Sequence, residues 1–263
     1  MPIDQSFERF PPRNSFDKFK ILERINAYSI ENLKIVFHNY LDLCKQNGRV
    51  IGHPMWREGL NQINVIGIRS NPEISFNLPG ETYYNDLLLI IDYGIIPNVY
   101  FFSVTMDPRG KSKNIAHLLE GIYASYTALR PHKYIMGRTA LVQDRDAVLV
   151  ARTDAQGNVI SAKPERGWFG INVHDSGGYQ NSSLGCTVLE PDSIENNFQF
   201  ANIFKPILLG CSNKAEIDYC VINFDTFKSL SFSTFQKQKV NLIQLSKLAH
   251  PQPLMEIPRK IVS

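Results

Sequence analysis

The chain is expected to be mainly β with helices, an α+β fold built as a β-sandwich or barrel with an N-terminal helical extension. Three observations lead there. An amphipathic helical pattern before residue 50 gives way to period-two alternation and short apolar runs. Those runs are strand-length and are punctuated by turn dipeptides such as Pro79-Gly80 and Pro97-Asn98. No stretch approaches the roughly 20 consecutive apolar residues of a membrane-spanning helix; the densest, Leu87 to Ile91, would fill only a strand.

The pattern divides the chain into an N-terminal helical arm (1–50), a strand-rich domain (51–225) and a partly irregular C-terminal wrap (226–263) holding Pro251, Pro253 and Pro258. In the arm, Ser15 caps an expected helix to about Tyr28. A second helix carries Leu33, Val36, Phe37, Tyr40, Leu41 and Cys44 on one apolar stripe and stops at Asn47-Gly48. Cys44 lies on that stripe and reads as core, whereas His38 lies off it and faces solvent.

Beyond residue 50, strands are expected at Ile63 to Ile68, Leu87 to Ile91 and Val99 to Val104, and then a turn at Asp107-Pro108-Arg109-Gly110. His117 reads as a surface residue. Further strands are expected at Ala140 to Gln143 and Ala147 to Arg152. A hairpin turn at Asp154 to Asn158 leads to a return strand, Val159 to Ala162. Residues 164–167 read as a connection. Later, Asp192 resembles a helix cap with Glu195 three residues on, and that helix ends before Pro206; a last strand covers Ile217 to Phe224.

Composition closes several functional routes. Of 263 residues, 43% are hydrophobic and 20% charged, ordinary for a globular protein. A net charge of +3, with no basic run interleaved with aromatics, gives no case for nucleic acid. Cysteines at 44, 186, 211 and 220, with no Cys-x-x-Cys, argue against a disulfide framework and a zinc ribbon. Cys211 and Cys220 read as structural, having no neighbouring His or cation to acidify them. There is no His-Glu-x-x-His or His-x-His, which weakens a zinc-peptidase reading, and no phosphate or dinucleotide loop, so no metal or cofactor is expected. The first residues lack an apolar core, so no Sec-type signal is expected.

The stretch that carries chemistry is Gly167 to Cys186. Trp168 to Val173 reads as a buried or half-buried strand, His174 stands at its end, and a polar loop with Gly177-Gly178 delivers Gly185-Cys186. An imidazole that can meet a thiol is what nucleophilic thiol catalysis needs, because the thiolate is the reactive species. Gly185 permits a tight backbone turn, so that amide N–H groups near Cys186 can face a developing oxyanion. The plain alternative is a structural His and a Cys acting as a small core residue.

Val173-His174 followed by Ser182-Ser183-Leu184-Gly185-Cys186 resembles the signature of the L,D-transpeptidase (YkuD-like) catalytic domain family, nearer its phage-associated and divergent bacterial members. In that family a histidine at a strand end is followed by a loop closing with Ser/Thr-x-Gly-Cys. Two positions depart from it. Leu184 stands where a second histidine is common, and Asp175 where a small residue is usual. The Asp107-Pro108-Arg109-Gly110 turn, and the block from Gly121 through His132 to Ala140-Leu141-Val142-Gln143, also look like those members, though Arg109 is an insertion. The likeness covers about residues 100–200.

The resemblance implies a YkuD-like β-sandwich or barrel and acyl transfer on peptidoglycan stem peptides. Cys186 would be the nucleophile, His174 its general base, and the main-chain carbonyl of Asp175 the third element. Gly185 and Cys186 would supply oxyanion donors. Ser183 would buttress the cysteine loop, His132 would border the substrate cleft, and Tyr134 and Arg138 on the same loop could meet a substrate carboxylate. Transpeptidation, amino-acid exchange and L,D-carboxypeptidase activity all fit. The implied partners are muropeptide or peptidoglycan stems. A chain made in the cytoplasm would reach the wall or periplasm by lysis or non-classical export, with a phage or secretion system as the route. The rival from another class is a non-catalytic wall-binding or interaction module on the same fold. A papain-type hydrolase fits less well, because there the Cys precedes the His.

Overall fold

The computed structural model describes residues 29–69, 86–106, 114–131, 139–154, 159–175, 185–189, 204–211 and 216–231. Helix α1 (Ile30–Gln46) opens the described chain. Strands β1 (Val50–Ile51), β2 (Gln62–Arg69), β3 (Asp86–Tyr93) and β4 (Asn98–Thr105) follow. Next come β5 (Ile115–Leu118), β6 (Gly121–Pro131), β7 (Thr139–Gln143), β8 (Val148–Thr153) and β9 (Glu165–Gly167). The chain then runs through β10 (Val173–Asp175), β11 (Thr187–Leu189), a short helix α2 (Lys205–Gly210), β12 (Glu216–Asn223) and a helical segment, α3, at residues 224–231.

Among the described residues, nine strands form one sheet in the order β1-β6-β12-β2-β3-β4-β11-β10-β7, and β7 also pairs with β6, so that eight of them close on themselves as a barrel. Strand β1 lies outside the ring, parallel beside β6. Most neighbours are antiparallel; β12 with β2 and β10 with β11 are parallel. The described residues also form a separate three-stranded sheet, β5-β8-β9. The mainly β expectation therefore holds in its barrel form. Among the described residues no helix is long and apolar enough to cross a membrane.

An eight-stranded ring leaves an interior that side chains can fill. Here Phe102, Tyr126 and Tyr219 fill it with Val65, Leu88, Ile90, Val104, Leu141 and Val173, and Phe204, Ile207 and Leu208 at α2 join the same cluster. Phe204 meets Phe102 edge-on at 5.5 Å between ring centres. The outer wall of β2, β3 and β12 is apolar as well, because α1 covers it. Leu33, Val36, Phe37, Tyr40, Leu41 and Cys44 pack on Ile66, Ile68, Leu87, Leu89, Ile91, Cys220 and Ile222. That is why Leu87 to Ile91 is apolar at every position: successive side chains go alternately to two cores. The helix is capped by Ser29, whose Oγ accepts from Asn32 N–H at 3.3 Å, and stops at Gly48, whose φ of +65° suits glycine.

Several sequence expectations need correction. Trp168 to Val173 is not one strand. Residues 168–172 lie between β9 and β10 outside either strand, because the N–H groups of Phe169 and Ile171 donate to the Gln143 side chain instead, at 3.2 and 3.1 Å. Gly170, at φ +68°, turns the backbone there, and Trp168 is 60% exposed. The expected return strand at Val159 reduces to a single bridge with Thr153, and the ladder position beside β8 goes to β9, within the stretch read as a connection. His117 is buried on β5, its Nε2 2.9 Å from Thr153 Oγ1. Pro206 sits in the first turn of α2, where its missing N–H is harmless. The expected helices at 15–28 and from Asp192, and the turn at Asp107 to Gly110, lie outside the described residues.

Phe37 is 2% exposed and stacks edge-on against Trp56 at 5.5 Å. Phe37→Ala should lower unfolding stability by about 3–5 kcal/mol in urea titrations. Asn39→Ala, on the exposed face of the same helix, should change it by no more than about 0.5 kcal/mol.

Candidate active site

The site is assembled by the parallel pairing of β10 and β11. Its register places Val173 opposite Thr187 and His174 opposite Val188. Alternation then sorts the side chains. Val173 belongs to the barrel core, and Thr187 hydrogen-bonds the core residue Tyr219 at 3.0 Å, so this pair faces inward. His174 is turned to the outer wall, and Cys186, one residue before Thr187, falls on that same outer face. The chain that leaves β10 and returns as β11 thus brings a histidine and a cysteine side by side.

Cys186 is half-buried and His174 buried. The imidazole Nδ1 lies 2.5 Å from the Asp175 carbonyl oxygen. A carbonyl only accepts, so Nδ1 carries the proton, and Nε2 is left to face the sulfur. Burial alone would lower the His174 pKa. The hydrogen bond and charge of Cys186, with the carbonyl and carboxylate of Asp175, outweigh it and hold the imidazole above its ordinary range. Alternation places the Asp175 side chain on the face opposite His174, so the orienting contact comes from the main chain.

The cysteine sulfur has two main-chain neighbours. The thiol donates to Gly170 O at 3.4 Å, and Asn172 N–H points at the sulfur at 3.4 Å. Both belong to the 168–172 run. Asn172 O in turn accepts from Thr187 N–H at 2.8 Å, which continues the β10–β11 ladder up to the level of the cysteine. Gly185 sits at φ +151°, and a Cβ there would lie 2.4 Å from Ile171 Cδ1 and 2.6 Å from Ala116 O. Glycine is required twice over, by conformation and by space. On the inner side, the Tyr126 hydroxyl is buried with no hydrogen-bond partner among the described residues, and Tyr126 stacks edge-on with Tyr219 at 5.4 Å.

Of the residues singled out from sequence, the structure brings His174, Asp175, Gly185 and Cys186 together. Ser183, His132, Tyr134 and Arg138 lie outside the described residues, as does Leu184. His174 lies within β10 rather than after it, and Asp175 is strand, not loop, since both pair with β11. Two residues that sequence reasoning missed belong here, Asn172 and Gln143. Only Gln143 carries a signal, one of phase: Leu141 points into the core, so Gln143, two residues on, is a polar side chain on an inward position. The other cysteines are buried; burial pushes the Cys211 thiol up to about 12 and raises Cys44 and Cys220 as well.

In comparisons with known proteins, no protein-family model, curated protein or solved structure matched the chain at a significant level.

Gly185→Ala is expected to destabilise the protein by about 2–4 kcal/mol, read by thermal or urea unfolding. His174 gives a second expectation. Its raised pKa means that its contribution to stability is full below the ordinary imidazole value of about 6.5 and is lost as pH rises through the folded value. In Cys186→Ala the burial penalty stays while the sulfur's contributions vanish, so the ring should titrate lower than in wild type, as followed by imidazole NMR.

Proposed function

We propose that the chain is a cysteine acyltransferase of the L,D-transpeptidase type, acting on peptidoglycan stem peptides. The observation that carries this reading is the outer-face pairing of His174 with Cys186, with Nδ1 committed to the Asp175 carbonyl and Nε2 turned to the sulfur. A base fixed in one tautomer beside a thiol is the arrangement that nucleophilic acyl transfer requires. The Ser-x-Gly-Cys closure of the loop supplies the link to stem-peptide substrates.

In this reading His174 Nε2 takes the Cys186 proton, and the thiolate attacks the carbonyl that joins a diamino acid at its L-centre to a D-amino acid. The carbonyl π pair moves to oxygen and gives a tetrahedral oxyanion held by backbone N–H groups around Gly185 and Cys186. The C–N bond then breaks, His174 returns the proton to the leaving amine, and a thioester remains on Cys186. An acceptor amine resolves it to a cross-link or an exchanged amino acid; water resolves it to a shortened stem.

Muropeptides with tetrapeptide stems, mixed with the full chain and followed by mass spectrometry, should lose or exchange the terminal D-residue or form dimers. Cys186→Ala should reduce that turnover by about 10³-fold or more. Equal activity in Cys186→Ala would remove the cysteine from the chemistry. A wild-type Cys186 that alkylates only near the ordinary thiol pKa of about 8.5 would favour the wall-binding module instead.

A further inference from the structure

The segment that touches the thiol joins the β10–β11 ladder only at its end, through Asn172 O, and the rest is held by a side chain. Gln143, at the end of β7 and buried, does so with every polar atom of its side chain. Its Nε2 donates to Asp146 O and Gly167 O, each at 3.1 Å, and its Oε1 accepts from Phe169 N–H at 3.2 Å and Ile171 N–H at 3.1 Å. Its own backbone N–H donates to Asn172 Oδ1 at 2.9 Å. One residue therefore fixes the 167–172 run at four of its six positions. Of the two positions in that run that meet the Cys186 sulfur, Gly170 lies between the anchors at Phe169 and Ile171, and Asn172 is itself anchored.

We infer that Gln143 is a positioning residue of the site, which seats the 168–172 run so that Asn172 N–H stays aimed at the Cys186 sulfur and keeps that thiol reactive. The physical reason is directional. An N–H aimed at sulfur stabilises the thiolate once the proton has gone to His174. The Gly170 carbonyl engages the sulfur only while it is protonated, so it places the thiol before reaction. Releasing the run removes the donor and makes the thiolate harder to form. A buried carboxamide with two donated and two accepted bonds suits this role, because the loss of any partner strands a buried polar group. The titratable groups that act on the thiol or stand behind it are His174 and Asp175 from β10, Tyr126 from β6 and, behind Thr187, Tyr219 from β12. Tyr126 stands across from Gln143 in the β6–β7 pairing, but the hydrogen bonds of the Gln143 side chain go to the backbone at Asp146, Gly167, Phe169 and Ile171, so its directional effect acts through the 168–172 run.

The inference rests on reading Cys186 as the nucleophile, and its test is separable from turnover. The pH dependence of iodoacetamide alkylation at Cys186 is measured on the full chain by peptide mass spectrometry, which distinguishes it from the buried Cys44, Cys211 and Cys220. Gln143→Met and Gln143→Ala, each checked for cooperative unfolding, should move the midpoint up by about one unit or more. An unmoved or lowered midpoint in a cooperatively folded variant overturns the inference. In the wild type, the N–H groups of Phe169 and Ile171 should exchange slowly with solvent, a measurement that needs no variant; exchange at the rate of open loops overturns it equally. A wild-type chain with a low alkylation midpoint that leaves muropeptides untouched sinks the acyl-transfer reading and not the role of Gln143.

Discussion

The parallel pairing of β10 with β11 is the constraint on which the site depends. Because side chains alternate along a strand, a slip of one residue would send Cys186 into the aromatic core and bring Thr187 out beside His174. The register is held from both sides. Strand β4 pairs with β11 at Val188↔Thr105, and β7 pairs with β10 at Val173↔Leu141. Closure of the ring through β6 and β7 makes these contacts interdependent. The positions of His174 and Cys186 are thus set by the register of the core strands beside them.

The wall around the cysteine is unlike the wall under α1. There, apolar side chains meet apolar side chains, and the fit is one of volume. Around Cys186 the contacts are close and mostly involve the main chain: the Gln143 side chain on the 168–172 backbone, the Asp175 carbonyl on the imidazole, and the bare backbone of Gly185 against Ala116 and Ile171. Directional contacts specify position more sharply than hydrophobic ones, and they are costly when left half satisfied. The two faces of one barrel divide the work, one supplying most of the burial and the other a defined geometry.

Much of this was legible in the sequence, and what was not has identifiable causes. The α1 stripe and strands β2, β3 and β4 could be read because periodicity and apolar runs dominate them. Strand β6 escaped notice because it is buried at Ser125 and Thr127 as well as at Ile122, Tyr123 and Tyr126, so neither alternation nor a pure apolar run marks it. The 168–172 run looked like a strand because its composition is right; its hydrogen bonds go to a side chain far away in sequence, which no local pattern reveals. His117 was misplaced for the same reason, since its partner Thr153 is distant in sequence. At the site, His174, Gly185 and Cys186 stand out by residue type, whereas Gln143 shows only its inward phase and the meaning of Asn172 lies wholly in its contacts.

The double-sided burial of β3 has a consequence for how the barrel finds its own alignment. Sheets usually reject misalignment through polarity, because a slipped strand shows its greasy side to water. Leu87 to Ile91 carries no such safeguard, since either face would be content in either core. The discriminating marks are the polar ends: Asp86, fully buried and accepting Met106 N–H at 2.8 Å, and Tyr93, whose hydroxyl accepts from Trp56 Nε1 at 3.0 Å. Fidelity in the most apolar strand of the molecule is proofread by the few atoms at its ends that can make a hydrogen bond.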